Sequence, residues 1–486
     1  MSTILSLNPK AVWKHFHALT QIPRPSGHIE EITKYLVKFG KDLGLESFVD
    51  NIGNVVIRKP ATPGMENRKG VILQGHMDMV PQKNNDTVHD FEKDPIETII
   101  DGEWVRANGT TLGADNGMGV AAAMAVLESK DIKHGPLEVL VTADEETGMV
   151  GAFGLKADTL KGEILLNLDS ESEGDLFIGC AGGVDITASL QYKEVEPDAD
   201  DVAVEVVLKG LKGGHSGMEI DSGRANANKL MVRFLREAVV SVEARLSSWQ
   251  GGNMRNAIPR EAHAVLTIPK DNLEDLEGLA EYCETLFNEE FGAIETPIKI
   301  LTSKVDLPKG VVPEEIQDNL ISSIYACHNG VLRMIPAIPD TVETSTNMAI
   351  VDIKEGKAEV KFLTRSSSDS MKEYLATMIE SCFGMAGMKV EFSGAYSGWN
   401  PNIESPILKA MKETYEKLFK KEPSIKVIHA GLECGIIGAT VPGLDMISFG
   451  PTLESPHSPA ERVHIESVDK FYDLLVVALE ATPIKE

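Results

Sequence analysis

The sequence predicts an α/β domain, a central sheet flanked by helices, interrupted by an inserted α+β domain. Three observations carry that expectation. Short apolar runs alternate with helical patterns over the first third of the chain. Near residue 183 the texture changes to runs of alternating polarity, and near residue 398 the earlier helix-and-strand texture resumes. A chain of 486 residues is also too long for one ordinary core. The expected division is an outer domain of 1–183 plus 398–486, with 184–397 inserted into it.

The elements follow in order. SGHIEEITKYLVKFG places Ile29, Ile32 and Leu36 at helical spacing, with Ser26 near its start and Gly40 at its end. NVVI, VILQG, LEVLVTA and EILLNLD are short apolar runs suited to buried strands. Between the second and third lies DNGMGVAAAMAVLES, a run of small apolar residues that suits a helix packed closely on a sheet. Strands alternating with helices imply a sheet covered on both faces. Further on, VAVEVVLKG and EAHAVLTIP alternate, and NLEDLEGLAEYCETLFNEEF reads as a long helix. A similar strand–helix–strand order returns in AEVKFLTRSSSDS, MKEYLATMIESCF and MKVEFSGAY, which hints at an internal duplication. The helix ILKAMKETYEKLF and the strand-like SIKVIHA and DMISFG then belong to the outer domain.

Composition excludes some functions. The formal net charge is −27, a surface that repels a phosphate backbone and an anionic membrane, so neither nucleic acid nor membrane is expected as a partner. Five scattered cysteines without a CxxC argue against a disulfide framework and for a reducing compartment. The N-terminal residues lack the basic stretch and long apolar run of a secretory signal, and no segment approaches the ~20 apolar residues of a membrane span. A cytoplasmic location is expected.

Five polar points stand at the ends of these runs. GHMDMV carries His76 and Asp78, GADNG carries Asp115, DEE carries Glu145 and Glu146, NLDSE carries Asp169, and PHS carries His457. Each has a plain reading alone: a surface histidine, a helix cap, a solvated acidic pair, a turn. Together they are two imidazoles and three carboxylates, with two further acids beside them. The carboxyl ends of strands in an open α/β sheet share one crevice, so scattered residues can converge there. Such a mixed N/O set suits Zn²⁺, Mn²⁺ or Co²⁺. The count suggests two ions, with one histidine and one terminal carboxylate each and one carboxylate between them.

This five-part pattern resembles the dinuclear zinc metallopeptidases that include the aminoacylases, carboxypeptidase-G-type enzymes and carnosinases, and within them the Xaa-His and non-specific dipeptidases. The resemblance spans essentially the whole chain. It implies a catalytic domain with a central mixed sheet and an inserted α+β lid that also dimerises. It implies two divalent metal ions per subunit, zinc first, with cobalt or manganese as substitutes. His76, Asp115, Glu146, Asp169 and His457 would hold them, with Asp115 bridging. Asp78 would orient His76, and Glu145 would be the general base. His215, in LKGGHSGMEI, would reach the active site of the partner subunit in a homodimer and hydrogen-bond the oxyanion. Asn256, Arg365 and Gly431 would hold or line the substrate. The activity implied is hydrolysis of dipeptides with broad specificity, including Xaa-His dipeptides such as carnosine. An N-acyl amino acid deacylase or a tripeptide aminopeptidase on the same scaffold, or a non-catalytic binding protein, are the alternatives.

Overall fold

The computed structural model describes residues 3–485. The chain divides into two compact units: Met1–Gly179, Trp399–Val427 and Leu432–Glu486 form the first, and Cys180–Gly398 with Ile428–Gly431 form the second. The short stretch 428–431, expected in the outer domain from the sequence, counts with the inserted unit. Its bonds explain why: Ala181 N donates to Ile428 O and Ala430 O at 3.0 and 3.1 Å, and His429 Nε2 lies 2.7 Å from Ser345 Oγ.

In the first unit the described residues form an eight-stranded mixed sheet. Its spatial order is Glu46–Val49, Val55–Lys59, Leu137–Thr142, Val71–His76, Ile164–Asn167, Asp445–Ser448, Asp175–Cys180 and Ser424–Ile428. The central strands Leu137–Thr142, Val71–His76, Ile164–Asn167 and Asp445–Ser448 run parallel, so their carboxyl ends lie at one edge. Every residue of Val71–His76 and Leu137–Thr142 is buried, the burial on both faces that continuous apolar runs require. Helix Ala114–Glu128 packs on Val71–His76, with Ala121, Ala122, Ala123 and Ala125 all buried; methyl side chains permit that close approach.

Two details of the helix expected in SGHIEEITKYLVKFG differ from expectation. It runs Glu30–Asp42, not from Ser26. Ser26 Oγ is engaged elsewhere, donating to Asp78 Oδ2 at 2.8 Å. Gly40 lies inside the helix rather than ending it. A Cβ there would stand 2.1 Å from Ser47 Oγ, so the glycine admits the adjoining strand Glu46–Val49.

The second unit holds an antiparallel sheet that contains the same arrangement twice. Strands Ala262–Pro269 and Lys299–Val305, joined through helix Leu273–Phe291, flank Asp201–Lys209 on its two sides. Strands Lys357–Ser366 and Lys389–Tyr396, joined through helix Asp369–Met385, flank Gly182–Gln191 in the same way. Trp249, Phe234, Phe287, Phe362 and Phe383 are fully buried in the core shared by this sheet and its helices. Helix Ala227–Val242 begins at Asn226, whose side chain accepts from Asn228 N and Lys229 N and so satisfies two otherwise orphaned donors.

Candidate active site

The parallel strand ends of the first unit bring five expected ligands together. His76 closes its strand, and its Nε2 lies 3.0 Å from Asp115 Oδ1 and 3.5 Å from Asp169 Oδ1. His457 Nε2 lies 3.0 Å from Asp115 Oδ2 and 2.9 Å from Glu146 Oε2. The two oxygens of Asp115 therefore face different imidazoles, and each imidazole has a further carboxylate of its own. Ligand atoms of His76, Asp115 and Glu146 all lie within 4.8 Å of one another. Glu146 Oε1 is buried without a hydrogen-bond partner, so the site has coordination capacity that the protein leaves unused.

The electrostatics fit a cation site. Burial opposes a charge on His76, but Asp169, Asp115 and Asp78 outweigh it and raise the imidazole well above its ordinary value. Hydrogen bonds to Asp115 and Glu146 raise His457 to about 11. Burial raises Asp169 to about 6, reinforced by Asp115 and Glu146 and opposed by His76. The carboxylates thus favour positive charge on both imidazoles, and cation uptake at this site would displace protons from them.

Asp78 lies beneath this cluster and is 0% exposed. Its Oδ2 accepts from Ser26 Oγ at 2.8 Å and Glu146 N at 3.3 Å, and its Oδ1 accepts from Glu145 N at 3.0 Å. Oδ1 is also 3.4 Å from His76 Nδ1, which lies 3.1 Å from Asp78 O. Burial works against this carboxylate's charge, but those hydrogen bonds prevail and hold it at about 2. Asp78 thereby connects the His76 ring to the backbone of the Glu145–Glu146 pair. The Glu145 carboxyl makes no hydrogen bond or ion pair among the described residues. Burial and the neighbouring Asp169, Glu433 and Glu146 raise it well above the usual carboxylate range.

A second cluster lies within the inserted unit. Gly214–His215 pairs with Ala257–Ile258, and Ser216 N donates to Asn256 O at 2.8 Å, so the expected His215 and Asn256 are neighbours. His215 Nδ1 accepts from Gly217 N and Met218 N at 3.2 and 3.0 Å. An accepting Nδ1 places the ring proton on Nε2, so the tautomer is fixed by the backbone. Burial and the Arg365 charge lower the His215 pKa. Arg365 is buried on the strand Lys357–Ser366, donates to Tyr396 OH at 3.2 Å, and leaves its Nε without a partner. A Cβ on Gly217 would stand 2.1 Å from His429 O, 3.1 Å from His215 Cε1 and 3.2 Å from Arg365 Nε, which shows how closely these groups converge. Gly431 follows in the same short stretch as His429 and is half-buried.

A model of the peptidase family M20/M25/M40 matches residues 72–481. The chain belongs to that family. It is 47% identical over 485 residues to a cytosol non-specific dipeptidase from Escherichia coli (strain K12), covering 100% of both chains. The solved structure of an aminoacylhistidine dipeptidase from Vibrio alginolyticus is 48% identical and superposes with a TM-score of 0.95, over 100% of this chain and 99% of that one. An aminopeptidase from Bacillus cereus shares the fold at 17% identity and a TM-score of 0.57, over 98% of this chain and 99% of that one.

Several residues of this family member's two clusters had no signal of their own in the sequence. Gln74 Nε2 and Thr142 Oγ1 both donate to Glu433 Oε2 at 2.6 Å, and Asn167 Nδ2 donates to Gln74 Oε1 at 2.5 Å. These buried groups lie within apolar strands or, for Glu433, at the start of helix Glu433–Thr440, where a lone polar residue looks like a lapse in the pattern. His429 stands near the end of the strand-like SIKVIHA, and only the fold brings it to Ser345 and Arg365. Glu461 follows His457 by four residues and reads as a charged loop residue.

Proposed function

We propose that this chain hydrolyses dipeptides with broad side-chain tolerance, Xaa-His dipeptides such as carnosine included, and that it uses two divalent cations per chain, zinc first, with cobalt or manganese able to substitute. The observation that carries this reading is Asp115, whose two carboxylate oxygens each face a different imidazole, each imidazole backed by its own acid. The names of the Escherichia coli and Vibrio alginolyticus relatives support the substrate class. The name of the first also supports a cytosolic location, and no helix among the described residues is long and apolar enough to cross a membrane.

His76, Asp115, Glu146, Asp169 and His457 would hold the cations, which supply Lewis acidity to polarise a carbonyl and acidify a water. Glu145, free of other partners, takes the proton of the attacking water on its carboxylate and delivers it to the leaving amine. Asp78 keeps the His76 ring oriented from behind. His215 carries its proton on Nε2 and donates it as a hydrogen bond to the oxyanion. It does so across a homodimer, each active site receiving His215 of the partner subunit. Arg365, with an unpaired Nε, offers a fork for the substrate carboxylate. Asn256 holds a second polar end, and Gly431 lines the pocket.

The test is metal analysis of the purified protein together with a substrate panel. Dipeptides, Xaa-His dipeptides among them, should be hydrolysed well, and a tripeptide and an N-acetyl amino acid poorly. Preference for the N-acetyl amino acid or the tripeptide would overturn the substrate assignment. Absence of turnover with two cations bound would overturn the catalytic one.

A further inference from the structure

The five expected ligands do not account for the best-bonded carboxylate near them. Glu461 is 2% exposed, and its two oxygens accept four consecutive backbone amides. Oε2 takes Leu112 N at 2.7 Å and Gly113 N at 3.0 Å; Oε1 takes Ala114 N at 2.8 Å and Asp115 N at 3.1 Å. We propose that Glu461 is a positioning residue of the metal centre, fixing the direction of the Asp115 carboxylate and hence the affinity for the pair of cations without touching either. This rests on the metal-centre reading above.

Three features give the clamp its reach. First, its last bond is to the amide of Asp115 itself, so the Asp115 backbone cannot swing without breaking it. Direction matters at this residue more than at any terminal ligand, because each of its oxygens faces a different imidazole and a tilt favours one cation site at the expense of the other. Second, Glu461 lies in the segment that carries His457, so one segment both supplies a ligand and orients the carboxylate opposite it. Third, the carbonyl side of the same loop is held as well. The buried Arg24 guanidinium donates to Gly113 O and also, at 3.0 Å each, to Met77 O and Asp78 O, just beyond His76. Gly113 has φ +71°, and a Cβ there would stand 2.6 Å from Arg24 Nη2, so the loop admits the guanidinium only as glycine. Segments bearing His76, Asp115 and His457 are thereby tied by one cation and one anion. The simpler role for a carboxylate facing these amides is to stabilise the start of helix Ala114–Glu128. That role would affect folding but would not depend on the Asp115 side chain.

The experiment is a double-mutant cycle on cation affinity, read by competition between the full-length protein and a chromophoric zinc chelator. The variants are Glu461→Gln, Asp115→Asn and both together, with the thermal melt of each metal-free protein measured alongside. Glu461→Gln should bind zinc about 10–100-fold more weakly than wild type, the range typical of groups that orient a ligand, while its metal-free form still melts cooperatively. In the Asp115→Asn background the same change should cost little more, because the group it orients is already compromised. Wild-type affinity in Glu461→Gln would overturn the proposal, as would losses that simply multiply in the double variant. Should Glu461→Gln fail to fold, Glu461→Asp, which keeps the charge but is too short for all four amides, goes through the same cycle with the same two outcomes. If wild type itself binds fewer than two zinc ions, the metal-centre reading fails; if it binds two and Glu461→Gln matches it, only the positioning role fails.

Discussion

Replacing Asp78 with alanine should separate what the carboxylate does for the fold from what it does for metal. It is 0% exposed and accepts from Ser26 Oγ, Glu145 N and Glu146 N at 2.8, 3.0 and 3.3 Å. Its loss leaves the two amides without their acceptor. A buried donor left unpaired costs about 1–3 kcal/mol. Glu145 and Glu146 are only half-buried and water can reach some of the gap, so a total near the middle of that range, about 2 kcal/mol, is expected for the metal-free protein. The effect on metal is separate. His76 Nδ1 keeps the Asp78 carbonyl at 3.1 Å but loses the carboxylate at 3.4 Å, so the ring stays roughly oriented and becomes a poorer ligand. Zinc affinity should fall about 10–100-fold rather than vanish. Asp78→Asn, which keeps the volume and one acceptor oxygen, should recover much of the stability and little of the affinity. Chemical denaturation of metal-free protein and chelator competition measure the two effects. Wild-type zinc affinity in both variants would refute the coupling of Asp78 to His76.

Three other outcomes are expected. Glu145→Gln should keep its cations and lose about 10²–10⁴-fold in turnover, the usual worth of a general acid–base group; near-wild-type turnover by the metal-loaded variant would remove Glu145 from the reaction. His215→Ala should lose about 10²–10³-fold in kcat with its metals intact. Mixing it with Glu145→Gln and allowing subunits to exchange should restore activity, whereas no recovery after verified exchange would refute the cross-subunit role. His429 is lowered to about 3 by burial and by the Arg365 and His215 charges, and among its neighbours are the Ser345 hydroxyl and the Val342 backbone. Between pH 6.5 and 3 the unfolded chain therefore binds more protons at this residue than the folded one, so its contribution to stability falls as pH falls through that window. Relative to His429→Asn, wild type should lose about 1.6 kcal/mol between pH 6.5 and 5; parallel pH profiles of the two proteins would contradict this.

Residues of the proposed metal site stood out in the sequence because they fall where the apolar runs of buried strands stop. His76 and Asp169 stand just where the apolar runs VILQG and EILLNLD stop. Asp115 was legible as the entry to a run of small residues. What was not legible depends on contacts distant in sequence. Ser26 had the look of a helix cap, yet its hydroxyl is drawn to Asp78, and the helix starts at Glu30. Gly40 had the look of a helix end, yet it is there to admit Ser47. His457 has φ +59°, a left-handed conformation unusual for a residue with a Cβ, and no sequence pattern announces it. Glu461 could not be told from a solvated loop acid, because its four partners lie some 350 residues earlier. His429 had the look of a strand residue in SIKVIHA, and only the departure of 428–431 into the inserted unit reveals its partners.

The central proposal, that two cations held around Asp115 would act together on a peptide bond, is tested most directly by titrating metal-free protein with zinc while following hydrolysis of a dipeptide and counting ions bound per chain. The account predicts that two ions bind per chain and that full turnover requires the second. Full turnover with one ion per chain, or two tightly bound ions with no hydrolysis of any dipeptide, would contradict it.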